Sequence, residues 1–380
     1  MGTEKLQAKL RDSNFELLRI FAMFGIVISH LEAHALYYGP DAPITAAWVL
    51  SKLLYGVVSS IGNWSFILLS GYFISAKTFS YKRFFTLWLQ IFMTSAIIAV
   101  ITYKNNLPIV WIRTGDAAMP FVTETMTLGD FVKWLLPCYF STHWFATTYL
   151  IFFLMVPLLD KVVSSLPRED HWHAIVLLTV LGTVVALLPI QRFFKPTEIY
   201  LFILGFFIAK YIRLYEPPFF SSVRRNSVIA LGILVFILGY KICCHLLLPH
   251  TPVPEKYFRM LSSIFDGNFS FPILICSLCI FSIFRHISIP YNRVINTIAS
   301  TTFGIYLIHE TAWSKWWWLG VCRVNDFADS PYLVGYVFVC AIGTFMLCAV
   351  LELFRKYAVE KPLLALIFRQ KKQPATSVTV

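Results

Sequence analysis

Charge is what this chain has least of. Asp, Glu, Lys and Arg together supply 14% of its 380 residues, little more than half the roughly 25% of an average soluble domain. That shortage excludes a disordered chain, a coiled coil and an ordinary cytosolic enzyme. No second cysteine pair answers Cys276-x-x-Cys279, so no disulfide framework or zinc cluster is implied. Most of the eight cysteines lie inside apolar runs, where a thiol behaves as a small hydrophobe. No small-residue cleavage site accompanies the first apolar segment, which reads as an uncleaved first helix. There is no internal repeat, and no low-complexity tract beyond the polar tail from Gln370. No basic run is interleaved with stacking aromatics in the manner of a nucleic-acid groove. The net charge of +12 therefore reads as Lys and Arg that hold cytoplasmic loops in place, with no nucleic acid as partner.

What the chain has in excess is apolar surface: 58% apolar and 17% aromatic residues. Only lipid tolerates so much of it, and a span needs about 20 mainly apolar residues. Ten segments qualify: 15–38, 53–74, 84–103, 134–158, 174–190, 197–213, 226–247, 268–284, 297–318 and 332–354. The predicted fold is an all-α, polytopic membrane bundle of about ten transmembrane helices. Its organisation is an N-terminal segment 1–14, a membrane domain 15–358 and a tail 359–380. Lys and Arg concentrate on the side of the N-terminus, from Lys5, Lys9, Arg11 and Lys77 through Lys82, Arg83, Arg224 and Arg225 to Arg369, Lys371 and Lys372. The positive-inside rule then places both termini in the cytoplasm and segment 104–133, with Arg113, Asp116 and Glu124, outside the cell membrane.

Polar groups inside spans are costly, so each needs a partner or a task. In the first span Arg19 and His30 are 11 residues apart, three turns plus about 20°, so they share a face about 16 Å apart along the axis. Arg19 is open to two readings, a snorkelling anchor paired with Glu16 or an anion-holding group. His30 is open to two as well, an interhelical hydrogen bond or proton chemistry. His30 and His34 are spaced like a metal pair, but Glu32 lies about 200° round the helix from His30, unlike the metalloprotease pattern in which Glu follows the first His directly. No metal site is expected. In the ninth span Thr302, Tyr306, His309 and Trp313 fall on one helical face. Counting rise from each span's start puts His309 about 18 Å deep and His30 about 22 Å deep. The two imidazoles are therefore expected to converge, with Glu310 beside them to orient or tune one of them. The alternative is a polar cluster that merely ties helices together. Trp316, Trp317 and Trp318 read as an outer aromatic belt. Ser70-Gly71 permits close backbone approach, His143-Trp144-Phe145 opens the fourth span's apolar core or anchors it at the interface, and Glu360-Lys361-Pro362 reads as a helix stop.

Taken together, Arg19-x10-His30, Phe66 to Gly71-Tyr72, His143-Trp144-Phe145, Phe303-Gly304-Ile305-Tyr306-Leu307-Ile308-His309 and Glu360-Lys361-Pro362 resemble the acyltransferase-3 family of integral membrane acyltransferases over nearly the whole chain. Members often continue the ninth-helix motif as His-Pro; here Glu310 follows His309. The resemblance implies transfer of an acyl group, usually acetyl, from cytoplasmic acyl-CoA to a hydroxyl of a surface polysaccharide or a lipid-linked glycan precursor. On that reading His30, His309 and Glu310 are the expected catalytic residues, and Arg19, Ser70, His143 and Trp144 bind the donor. A guanidinium suits the CoA phosphates. His30 at the thioester end acts either as general base or as transient acyl carrier. A saccharide-precursor transporter is the competing class. Transporters show paired repeats and broken helices, and neither is visible in the sequence. A sensor domain without catalysis is the third; intact Arg19, His30 and His309 argue against it.

Overall fold

The computed structural model describes residues 12–36, 43–75, 79–112, 121–187, 197–247, 261, 263–328 and 330–368. The basic residues Lys5, Lys9, Arg11, Lys77, Arg369, Lys371 and Lys372, and Arg113 and Asp116 of segment 104–133, lie outside the described residues. The fold is all-α apart from one short hairpin. Among the described residues, six helical segments are long and apolar enough to cross a membrane: Ser13–Ala35, Ala46–Ile74, Tyr81–Lys104, Trp144–Ser165, Val223–Leu247 and Leu333–Ile367; Phe271–His286 is a shorter apolar helix.

In chain order, α1 (Ser13–Ala35) is followed by α2 (Ala46–Leu53), a π-turn at Leu54–Val58 and α3 (Ser59–Ile74). Next come α4 (Tyr81–Lys104), strands β1 (Pro108–Ile112) and β2 (Phe121–Thr125), and α5 (Leu128–Leu135). The strands pair antiparallel, Pro108 opposite Thr125, in the loop expected to be non-helical. After them come α6 (Trp144–Ser165), α7 (Arg168–Leu187), α8 (Glu198–Tyr215), α9 (Val223–Leu247) and α10 (Phe271–His286). The last stretch holds α11 (Arg293–Ala299), α12 (Thr302–His309), α13 (Ala312–Trp316), α14 (Leu333–Phe354) and α15 (Lys361–Ile367).

Helix ends follow local chemistry. The Ser80 hydroxyl accepts the Arg83 N–H at the start of α4, and Asn292 accepts those of Val294 and Ile295 at the start of α11. Thr127 and Asp130 form a reciprocal capping box on α5. The main core joins α1, α3, α6, α8 and α10 through Val27, Trp64, Phe202, Phe206 and Phe281, all buried. A second apolar cluster links the far end of α1 to Trp318 and α14.

Four expectations are corrected. The fourth span begins at Trp144, ten residues later than 134–158 implied, because Leu136 leaves helical geometry immediately before Pro137. The ninth span is not one helix: α11, α12 and α13 are separate pieces followed by a π-turn at Trp317–Val321. A broken span is therefore present after all. Glu360-Lys361-Pro362 does not stop the last helix. A π-turn over Arg355–Glu360 runs into α15 with Pro362 in its first turn, where proline forfeits no intrahelical bond. Finally, Trp318 belongs to the core, not to an interfacial belt: it is fully buried, and its indole N–H donates to Thr344 Oγ1 at 3.0 Å.

The packing of α3 on α8 depends on glycine. A Cβ built on Gly205 would lie 2.2 Å from Ile67 Cγ2, far inside contact distance. Gly205→Ala should therefore lower the thermal midpoint of the detergent-solubilised protein by the equivalent of about 1–3 kcal/mol, the usual range for core overpacking. Ile67→Ala in the same chain should recover part of the loss.

Candidate active site

Helix α1 runs between α3, α11, α12 and α14 and carries both Arg19 and His30. Near its far end the His30 Nδ1 lies 3.0 Å from Nε2 of His309, with the two rings stacked at 5.1 Å between centroids. The same Nδ1 is 2.5 Å from Oε2 of Glu310. Residues 279 positions apart in sequence thus meet at one nitrogen.

The break that ends α12 makes this possible. Glu310 leaves the helix (φ −87°, ψ 48°) and Thr311 is extended, so Glu310 need not follow the helical path about 100° round from His309. Breaking a helix inside a bilayer frees carbonyls that must find other donors. The side chains beyond the break supply them. Thr311 Oγ1 and the Trp313 indole N–H donate to the Ile308 carbonyl at 2.8 and 2.9 Å, and the carbonyls of His309 and Thr311 share the single proton of the Ser314 hydroxyl. Trp313 is thereby turned to this task and does not extend the Thr302–Tyr306–His309 face.

The partners settle where protons sit. His309 Nδ1 faces the Ile305 carbonyl at 2.7 Å. A carbonyl only accepts, so Nδ1 carries the hydrogen, and the neutral ring presents a lone pair at Nε2. The proton between the imidazoles then belongs to His30 Nδ1, where the Glu310 carboxylate also attracts it. In the neutral tautomer with its hydrogen at Nδ1, the His30 ring carries its lone pair at Nε2. Ligand atoms of His30, His309 and Glu310 all lie within 4.8 Å of one another. The 2.5 and 3.0 Å spacings at His30 Nδ1 are hydrogen-bond distances, shorter than the roughly 3.3 Å that zinc bonds of 2.0–2.1 Å at tetrahedral angles impose between ligands. His34, the partner considered for a metal pair, stacks on Trp318 at 6.2 Å between centroids and lies tilted to His30 at 5.9 Å.

His30 forms part of the wall of a cavity of about 310 Å³, together with Ser59, Ser60, Asn63, Trp144, Glu198, Asn268 and Tyr306. Asn63 Nδ2 donates to Asn268 Oδ1 at 3.2 Å, and the Trp64 indole holds the Asn268 carbonyl at 2.8 Å. Hydroxyls, amides, a carboxylate and an aromatic face therefore line the space that His30 borders.

The four residues assigned to the donor divide into two places. Arg19 pairs with Glu16 at 2.6 Å and lies 5.6 Å from the Phe73 ring centre. Ser70 bonds the Tyr149 hydroxyl, which also senses the charges of Arg19 and Arg83. These mark the Arg19 end. Trp144 instead lines the His30 cavity. His143, wholly buried beside it, packs edge-on against Trp134 and Tyr306, and neither of its ring nitrogens has a partner among the described residues. Glu198, Asn268 and Tyr149 were not singled out from sequence. Glu198 opens a helix after a loop and Asn268 lies in one, so only the packed fold brings them to His30. Tyr149 carried a weak signal, a hydroxyl inside an apolar run.

The helical fold defines a multi-pass membrane protein, and His30, His309 and Glu310 form a polar constellation inside its bundle. A family model described as an acyltransferase domain, that of the acyltransferase-3 family, matches residues 12–353, and the chain belongs to this family. Membership implies acyltransferase activity, and with it an acyl donor and an acceptor. No curated protein and no solved structure matches the chain.

If Glu310 acts through His30, their substitutions should not add. Glu310→Gln should slow turnover about 10²-fold or more, within the range of general-base contributions. The His30→Ala, Glu310→Gln double variant should be no slower than His30→Ala alone, as expected for groups that act as a unit. Steady-state rates of the four proteins check this.

Proposed function

We propose that the protein transfers an acetyl group from cytoplasmic acetyl-CoA to a hydroxyl of a glycan or lipid-linked saccharide. The observation that carries the proposal is His30. Its Nδ1 is held by His309 and Glu310, and its ring borders a polar cavity, while Arg19 lies 11 residues back on the same helix. The acceptor hydroxyl enters the cavity and gives its proton to His30 Nε2 as its oxygen attacks the thioester carbonyl. The C–S bond then breaks, and the departing sulfur takes that proton. The CoA phosphates bind at the Arg19 end, about 16 Å away by helical rise, where the guanidinium offers a planar fork to phosphate. Trp144 belongs on this reading with the acceptor rather than the donor.

The proposed topology has ten crossings. The six long segments are joined by α7, α8, α10 and the broken α11–α13 span, so that both termini face the cytoplasm and the β1–β2 hairpin faces outward. A cysteine introduced at Asn105 should react with an impermeant maleimide only from outside. Labelling solely from the cytoplasm would reverse the topology.

A transporter of saccharide precursors draws support from the broken span, since broken helices at the midplane hold substrates and ions in transporters. Here the carbonyls of Ile308, His309 and Thr311 are already taken by side chains, which favours catalysis over ion coordination. Purified protein in detergent, given acetyl-CoA with and without acceptor glycans, separates the classes: CoA release marks an enzyme, and its absence under every acceptor favours transport.

The roles along α1 are separable by kinetics. Arg19→Ala should raise the KM for acetyl-CoA with a smaller effect on kcat, and Arg19→Lys should recover only part, because an ammonium lacks the fork. His30→Ala should lower kcat by about 10²–10⁴-fold with CoA binding largely retained. His30→Gln, which cannot titrate, should be no better, and its residual activity should lose the acidic limb of the pH–rate profile. CoA binding abolished by His30→Ala but intact in Arg19→Ala would reverse the assignment.

A further inference from the structure

Tyr306 sits one turn before His309 on α12, almost fully buried, and it lines the same cavity as His30 and Trp144. Its hydroxyl oxygen accepts the backbone N–H of Phe145 at 3.3 Å and also takes up that of Ala146. These are first-turn donors of α6, which have no intrahelical partner. His143 at the N-cap gives them no side-chain bond, so Tyr306 caps a helix on another span. The consequence lies in what its proton is left to do. The phenol oxygen is occupied as an acceptor at the positive end of a 22-residue helix, where the dipole favours negative charge. Among the described residues its O–H has no acceptor of its own. A phenol held this way keeps its O–H free to donate, at the edge of a cavity where no described residue claims that proton. Beside it is a second unspent donor: the imidazole of His143, 6.0 Å between ring centres, with both nitrogens unpartnered among the described residues and no exposed surface.

We infer that Tyr306 is a catalytic residue, the donor that stabilises the oxyanion formed when an acceptor hydroxyl attacks the acyl carbonyl. The inference rests on the acyl-transfer reading above. When the C–O bond forms, the carbonyl π pair moves onto oxygen, and the acceptor's proton goes to His30 Nε2. The Tyr306 O–H donates to that oxygen without leaving its own oxygen. As the pair returns, the C–S bond breaks, and the thiolate takes the proton from His30. One ester and one thiol result, with no other reactant. His143 helps by holding the region polar at the α6 N-terminus, and Trp144 places the acceptor beside it.

The test begins with Tyr306→Phe, which keeps the ring and removes the donor. Acetyl-CoA turnover, measured with water and with a panel of methyl glycosides as acceptors, should fall about 10²–10³-fold in kcat, the usual loss for one oxyanion donor, with the KM for acetyl-CoA little changed. Because that substitution also strips α6 of its cap, 3-fluorotyrosine and 3,5-difluorotyrosine in place of Tyr306 provide the decisive series. They retain the hydroxyl and the cap but make it a progressively stronger donor, so kcat should change systematically with phenol acidity at fixed pH. A rate indifferent to fluorination, or a Tyr306→Phe variant with near-native kcat, overturns the assignment and reduces Tyr306 to a cap. A wild-type protein that never releases CoA from acetyl-CoA overturns the acyl-transfer reading instead.

Discussion

A polar group placed in hydrocarbon has to find a partner within the protein, because the lipid offers none. The organisation around α12 follows from this constraint. The helix ends in the bundle at His309, and the carbonyls its ending exposes would be ruinous unless answered. Thr311, Trp313 and Ser314 answer them, and only then can Glu310 turn out of the helical path to reach His30. The meeting of His30, His309 and Glu310 thus depends on residues that take no part in it. The same logic governs the opposite end of the bundle. The Glu352 carboxylate fits against Gly304, where a Cβ would collide with it at 2.1 Å, and it is held by Arg355 and Gln90. Lys210, buried on α8, is likewise matched by Asp160 and Ser164.

The cavity and the Arg19 region present different chemistries. At the Arg19 end the phenol of Tyr149 bonds Ser70 and lies in the field of two cations, Arg19 and Arg83. Around His30 the described lining combines amides, hydroxyls and aromatic rings with the Glu198 carboxylate. The proposed function would use this division, with an anionic donor at the Arg19 end and a hydroxyl-bearing acceptor in the cavity.

Much of this arrangement was legible from sequence because helical geometry is rigid. A fixed rise and a fixed angle per residue were enough to put Arg19 and His30 on one face and to bring His309 to the depth of His30. The break in the ninth span was not legible. Its flanks are as apolar as an unbroken helix, and the Thr, Ser and Trp side chains that mend it look like ordinary span residues until their partners are known. Pro362 misled for a related reason: the π-turn before it places the proline in a first turn, a position sequence spacing does not reveal. Glu198 and Asn268 were missed because they sit at helix ends and in a loop, and their approach to His30 is decided by how α3, α8 and α10 pack together.

Arg19 and His30 share one uninterrupted helix of 23 residues, with no proline or break between them. Their separation is therefore a property of a rod, indifferent to how the surrounding helices breathe or tilt. On the proposed function the helix would serve as a fixed gauge: a donor gripped at the Arg19 end would present its reactive group at a set height along α1.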